Sequence, residues 1–135
     1  MKSIKNLIIL SLVLLFSLNL NAQSINKKSL SELTKIVTQN LKSSSEGVAE
    51  SSIFVSLQFK NRYPKADNKI IVDALNDLAS NSNNAKISYK AQLAKIYFEN
   101  PELFKDVKVN TIFDDQKVFE QISEKLNSVV LASEF

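Results

Sequence analysis

The chain reads as an all-α protein of about five helices, and three observations lead there. Apolar residues recur at three- and four-residue intervals through most of its length, which is the helical period. The breaks between those stretches are short and polar, with only two prolines and one glycine among 135 residues. No segment beyond residue 22 offers a strand a convincing partner, and a strand needs one to be stable.

The first 22 residues stand apart from the fold. Lys2 and Lys5 lead into an apolar run at residues 7–20 that suits the central region of a secretory signal. It is short of the ~20 apolar residues a bilayer span needs. Ala22 supplies the small residue at the cut, and Leu20 stands three positions before it. The expectation is a cleaved Sec-type signal over residues 1–22 and one helical domain over 23–135. The product is expected in the periplasm or secreted, with no membrane-spanning segment after cleavage. Of 17 basic residues two lie in the leader, which leaves 15 against 14 acidic ones and a net charge of +1. That balance gives no reason to expect a nucleic-acid partner.

The first helix is expected to start at Ser29, where Ser29 and Glu32 have capping-box spacing. Leu30, Leu33, Ile36, Val37 and Leu41 share one stripe, and Lys42 suits the negative end of the dipole. Residues 43–47 break it. The segment 48–63 nearly alternates, as a strand would, at Ile53, Val55, Leu57 and Phe59. Lacking a partner strand, it is assigned as a helix with a wide apolar face, sandwiched between others. Pro64 stops it.

Asp67 is placed to cap the third helix, which carries Ile70, Ile71, Ala74, Leu75, Leu78 and Ala79. A polar turn at 80–84 follows, then a fourth helix at 87–98 with Ile87, Ala91, Ala94 and Phe98 on one stripe. Asn100-Pro101 ends it. Residues 101–113 form an apolar but irregular connector. Asp114 or Asp115 is expected to cap the last and most regular helix. Its Val118, Phe119, Ile122, Leu126, Val129 and Val130 all stand at core spacing.

Two helices end alike, with aromatics and Asn before a proline, and the two prolines lie 37 residues apart. That separation suits stacked helical hairpins, whose periods run ~34–47 residues. The stretch Ile70-Ile71-Val72-Asp73-Ala74-Leu75-Asn76-Asp77-Leu78-Ala79, a turn, then Ile87-Ser88-Tyr89-Lys90-Ala91-Gln92-Leu93-Ala94 resembles a HEAT-type hairpin. The plan is also similar to small exported bacterial proteins of unassigned function, with a Tyr-Lys-Ala-x-Leu-Ala helix ending near Asn-Pro. The likeness covers residues 48–104. It implies two HEAT-like antiparallel hairpins plus an N-terminal helix, and interaction in place of catalysis. It assigns no catalytic residue.

The composition points the same way. With no Cys and no His, the chain lacks thiol nucleophiles, imidazole bases and the usual transition-metal ligands. One glycine rules out Gly-rich phosphate loops and a Gly-x-Ser-x-Gly elbow. Asp73 with Asp77, and Asp114 with Asp115, fall within single elements and read as solvated surface and helix caps. Ser88 and Lys90 are two apart on a helix and point in different directions. No catalytic residue, metal site or cofactor is expected.

Two constellations remain. Lys60, Arg62, Tyr63, Lys65 and Lys69 span a helix junction and form a candidate patch for an anionic partner, extended by Lys86 and Lys90. Tyr97, Phe98, Phe104 and Phe113 gather around the connector, where they would line an apolar pocket or close the core beneath it. The function expected is a protein-interaction module whose partner is an unidentified envelope or secreted protein. The alternative is a carrier or sensor of a small apolar ligand under residues 101–113.

Overall fold

The computed structural model describes residues 26–109 and 114–134. The expected leader at 1–22 and Phe113 lie outside the described residues. Within them stand five helices and no strand: α1 (Lys27–Leu41), α2 (Glu46–Arg62), α3 (Lys69–Asn81), α4 (Ala85–Glu99) and α5 (Asp115–Ser133). The all-α reading is correct, and the ambiguous segment at 48–63 is helical.

Local chemistry sets the helix starts. α1 begins a turn earlier than the Ser29–Glu32 spacing predicts, because the Asn26 side chain accepts from Ser29 N at 2.8 Å and takes the cap itself. At the head of α3 the N-cap position falls to Asn68, one residue past the Asp67 the sequence suggests, and the Asp67 carboxylate accepts from Lys69 N at 3.0 Å. Asn84 opens α4 by accepting from Lys86 N and Ile87 N. Its amide also donates to Glu46 Oε2 at 3.1 Å, which ties the heads of α2 and α4 together. Pro64 and Pro101 follow the ends of α2 and α4, where a missing N–H and a fixed φ stop a helix.

Packing follows a simple order. α1 lies on α2 and α3, while α4 lies on α2, α3 and α5. The short turns at 42–45 and 82–84 join α1 to α2 and α3 to α4 as two helical hairpins, with α1 stacked on α3 and α2 on α4. The N-terminal helix is thus half of the first hairpin, and α5 is the helix outside both pairs.

The core is shared by all five helices. Phe59, Ile53, Leu57, Leu41, Ile71, Leu75, Ile87 and Ile122 are fully buried in it. α2 is buried almost all round. Ser52 and Ser56 sit on its tightly packed side, and their hydroxyls donate to Val48 O and Ile53 O at 2.7 and 2.6 Å. Those local bonds let two small polar residues be buried without cost in unpaired groups. The connector runs through turns at 101–106 and contributes Phe104, Val107 and Val109 to the core.

α5 departs from its sequence pattern. Val118, Phe119 and Ile122 are buried and Leu126 is half-buried, yet Val129 and Val130 are exposed despite their core spacing. Asp115 and Ser123, eight residues apart, reach neighbouring Lys90 and Tyr89 on α4. α5 therefore crosses α4 and does not run along it, so no helix among the described residues covers its last turns. No helix among the described residues is long and apolar enough to cross a membrane.

Candidate functional site

The crossing of α4 and α5 leaves a cleft of about 430 Å³. α5 lines it with two stripes at helical spacing, Asp115-Phe119-Ser123 and Gln116-Glu120-Glu124. α4 adds Lys86, Tyr89 and Lys90, and α2 adds Glu50. That volume lies within the ~300–1,000 Å³ usual for small-ligand sites.

Lys90 is the centre of the cluster. Its side chain is 11% exposed, and its Nζ donates to Glu50 Oε1 at 2.8 Å and to Asp115 Oδ2 at 2.9 Å. The ammonium also stands over the Phe119 ring, 5.2 Å from the centroid. Glu50 accepts a second lysine, Lys86, at 2.8 Å. One buried cation thus joins α2, α4 and α5, and each charge in it is matched.

The titration behaviour follows from this pairing. Burial pulls the Lys90 pKa down, but its hydrogen bonds to Glu50 and Asp115 outweigh that and hold it above the ordinary lysine value. Hydrogen bonds from Lys86 and Lys90 hold Glu50 below the usual carboxylate range. Burial pushes Asp115 up, and Lys90 more than reverses it. Every one of these groups is held charged at neutral pH. None is tuned toward the middle of the pH scale, as a general acid or base would be.

Around this core each helix lines the cleft with one aromatic residue, Tyr89 on α4 and Phe119 on α5, among polar ones. Tyr89 Oη and Ser123 Oγ are 3.0 Å apart and share a hydrogen bond. Gln116 Nε2 donates to Glu120 Oε1 at 2.9 Å. Glu124 has no ion-pair partner among the described residues. Of the two residues the sequence offers as caps, Asp114 takes the N-cap position and Asp115 is the first residue of α5. Asp115 Oδ1 accepts from Gln116 N at 2.8 Å, while its other oxygen holds Lys90.

The residues of the sequence-derived basic patch have different neighbours. Lys69 pairs with Asp73 at 2.8 Å. Lys60 donates to Pro64 O at 3.2 Å and lies 5.8 Å from the Phe98 ring centroid, so it braces the end of α2. Arg62 stacks over Tyr63 at 5.9 Å, and Tyr63 packs on Phe59 at 5.3 Å. Lys86 and Lys90 do not extend the patch, because Glu50 neutralises them at the other end of α2. Lys65 alone joins a second cleft, of about 490 Å³ between α1 and α3, where its cationic companions are Lys27 and Lys35.

The aromatic group is packed into the interior. Tyr97 lies against Phe98 and Phe104 with ring centroids 6.5 and 5.6 Å apart, and all three are buried. The recess beside them, between Pro64, Pro101 and Phe104, measures about 140 Å³. That is well below the ~300 Å³ at which small-ligand sites begin. Phe113 lies outside the described residues.

Sequence reasoning does not single out Glu50, Phe119, Glu120 or Glu124. The repeat of Gln116, Glu120 and Glu124 every four residues was a legible signal of one polar stripe. Nothing in the sequence placed Glu50 opposite it, because the two are brought together by the stacking of α2 on α4. No family model, curated protein or solved structure matches the chain. The functional reading therefore rests on its own residues.

Proposed function

We propose that this chain is an exported, non-catalytic helical protein that acts by docking on a different protein of the cell envelope or the secreted pool. The observation that carries the reading is the far end of α5, where Val129, Val130 and Leu131 are 45, 56 and 59% exposed. Val129 and Val130 continue the stripe of Ile122 and Leu126 at three- and four-residue spacing, and adjoining exposed aliphatics, unlike scattered ones, mark a contact surface. A helix that leaves its own core with apolar residues on its outer turns suits helix-in-groove docking, in which the partner supplies the groove.

Other features support the same reading. The cationic start and apolar run at residues 2–20 favour export. Two stacked hairpins suit the HEAT-like resemblance, and such hairpins serve recognition. The lack of Cys and His argues against catalysis.

Native mass spectrometry of the protein purified from its host's envelope fraction tests the reading. The wild-type chain should carry one other protein in fixed stoichiometry. The triple variant Val129→Ser/Val130→Ser/Leu131→Ser should lose it while its helical circular dichroism is unchanged. A partner retained by the variant, a multiple of the chain's own mass, or a bare monomer from the wild type would each overturn it.

A further inference from the structure

We infer that the cleft between α4 and α5 is a binding site for an organic cation, a primary ammonium or guanidinium on a short apolar stem. The inference rests on the cleft alone and does not depend on what the far end of α5 contacts.

Charge accounting is the first support. The inner cluster cancels itself, since Lys86 and Lys90 are matched by Glu50 and Asp115. Glu120 and Glu124 then remain on the rim with no lysine or arginine bound to either among the described residues. The site therefore carries a surplus of two negative charges, in a chain whose residues 23–135 sum to +1.

Hydrogen-bond accounting agrees. The buried donors of the cleft are mostly engaged: Lys90 by two carboxylates, one Gln116 N–H by Glu120, and one hydroxyl of the Tyr89–Ser123 pair by the other, while Lys86 at the edge gives one N–H to Glu50 and turns the rest to solvent. Acceptors are in surplus, namely Glu50 Oε2, Glu120 Oε2 and both oxygens of Glu124. A ligand that completes this site must bring donors, and ammonium and guanidinium bring only donors. An anion would be repelled by the Glu120 and Glu124 carboxylates, which no lysine or arginine among the described residues neutralises.

Shape narrows the class further. Tyr89, half-exposed, and Phe119, buried, both line the cleft, and they provide apolar surface for a hydrocarbon or aromatic stem and, at Tyr89, a π-face for a cation. A metal ion does not fit, because no three acidic groups among the described residues stand close enough to hold one. Acids strung along a helix at four-residue intervals suit an extended organic cation.

Isothermal titration of the purified protein with three matched probes tests the inference: 4-phenylbutylammonium, 4-phenylbutanol and 4-phenylbutyrate. The ammonium should bind about five- to tenfold tighter than the alcohol, the worth of one or two exposed ion pairs, and the carboxylate should bind weakest. In the Glu120→Gln/Glu124→Gln variant, whose altered side chains are exposed, the ammonium should fall to the affinity of the alcohol. The alcohol should bind as before. Equal binding of all three probes, preference for the carboxylate, no binding, or an ammonium affinity untouched by the variant would each overturn the inference. A dipeptide, acetyl-Phe-Lys-amide, separates the two sources of such a cation. Tighter binding of the dipeptide points to a partner's lysine side chain and tighter binding of 4-phenylbutylammonium to a free amine. Both uphold recognition of the cation.

Discussion

α2 and α5 are the two longest helices among the described residues, and their sequences and environments are mismatched in opposite senses. α2 has apolar residues spread round its circumference, close enough to alternation to suggest a strand. It is nevertheless the most buried helix, enclosed by α1 and α4. α5 has an apolar stripe at regular helical spacing, yet the stripe is buried only through Ile122 and lies in solvent from residue 127 onward. The difference teaches that periodicity reports how many sides of a helix are meant to be covered. It does not report how far along its axis the cover extends.

The comparison predicts a steep contrast in mutational cost. Phe59→Ala empties a fully buried aromatic site in α2 and should cost about 3–5 kcal/mol by denaturant titration. That is a large share of the ~5–15 kcal/mol typical of a domain, so the variant's midpoint should fall sharply. A loss below about 1 kcal/mol would mean that α2 is not the centre of the core.

The joint between the two regions should show an intermediate effect. Lys90→Met keeps the apolar stem but removes the charge that links Glu50 on α2 to Asp115 on α5. Removing one partner of a fully buried pair costs about 3–5 kcal/mol. Asp115 is 48% exposed and Glu50 keeps Lys86, so solvent screening reduces the expected loss to about 1–2 kcal/mol.

Acid and base should trace the same joint. Glu50 and Asp115 have lowered folded-state pKa values, so their stabilisation is complete above the unfolded value of about 4 and is lost as pH falls through the lower folded values. Lys90 is raised, so its share is complete below about 10.4 and is lost as pH rises through its folded value. Stability measured against pH should therefore decline below about pH 4 in the wild type, and the Lys90→Met variant should decline less. Parallel curves would show that Lys90 does not set those carboxylates.

The smallest effect should come from the uncovered end of α5. Val130→Ser, at a site 56% exposed, should change stability by no more than about 0.5 kcal/mol, read as a thermal midpoint nearly unmoved. A larger loss would mean that the end of α5 packs on something in solution.

Much of the fold was legible because each helix carries local instructions. The stripes of α1 and α3, the Asn and Asp residues before helix starts and the two helix-ending prolines are short-range signals. A chain can obey them without knowing its tertiary structure. The candidate site was far less legible. Asp115 was visible as a residue at a helix start, but its partner Lys90 is 25 residues away and Glu50 is 40 residues from Lys90. Lys60, Arg62 and Lys69 looked alike as a run of charges. Pro64 and Phe98 hold Lys60, Tyr63 lies under Arg62, and Asp73 pairs with Lys69, so each has a different task.

The sequence by itself determined that the chain is helical, where four of the helices stop and start within a few residues, and that α2 must be enclosed. Those properties depend on side chains within a turn or two of one another, or on the sheer number of apolar sides a helix presents. The tertiary structure decided which helices pair, that α5 crosses α4 and runs past the core, and that a charged cleft opens at the crossing. Contacts between residues tens of positions apart depend on the lengths and angles of packed helices, and no local pattern in the sequence encodes them.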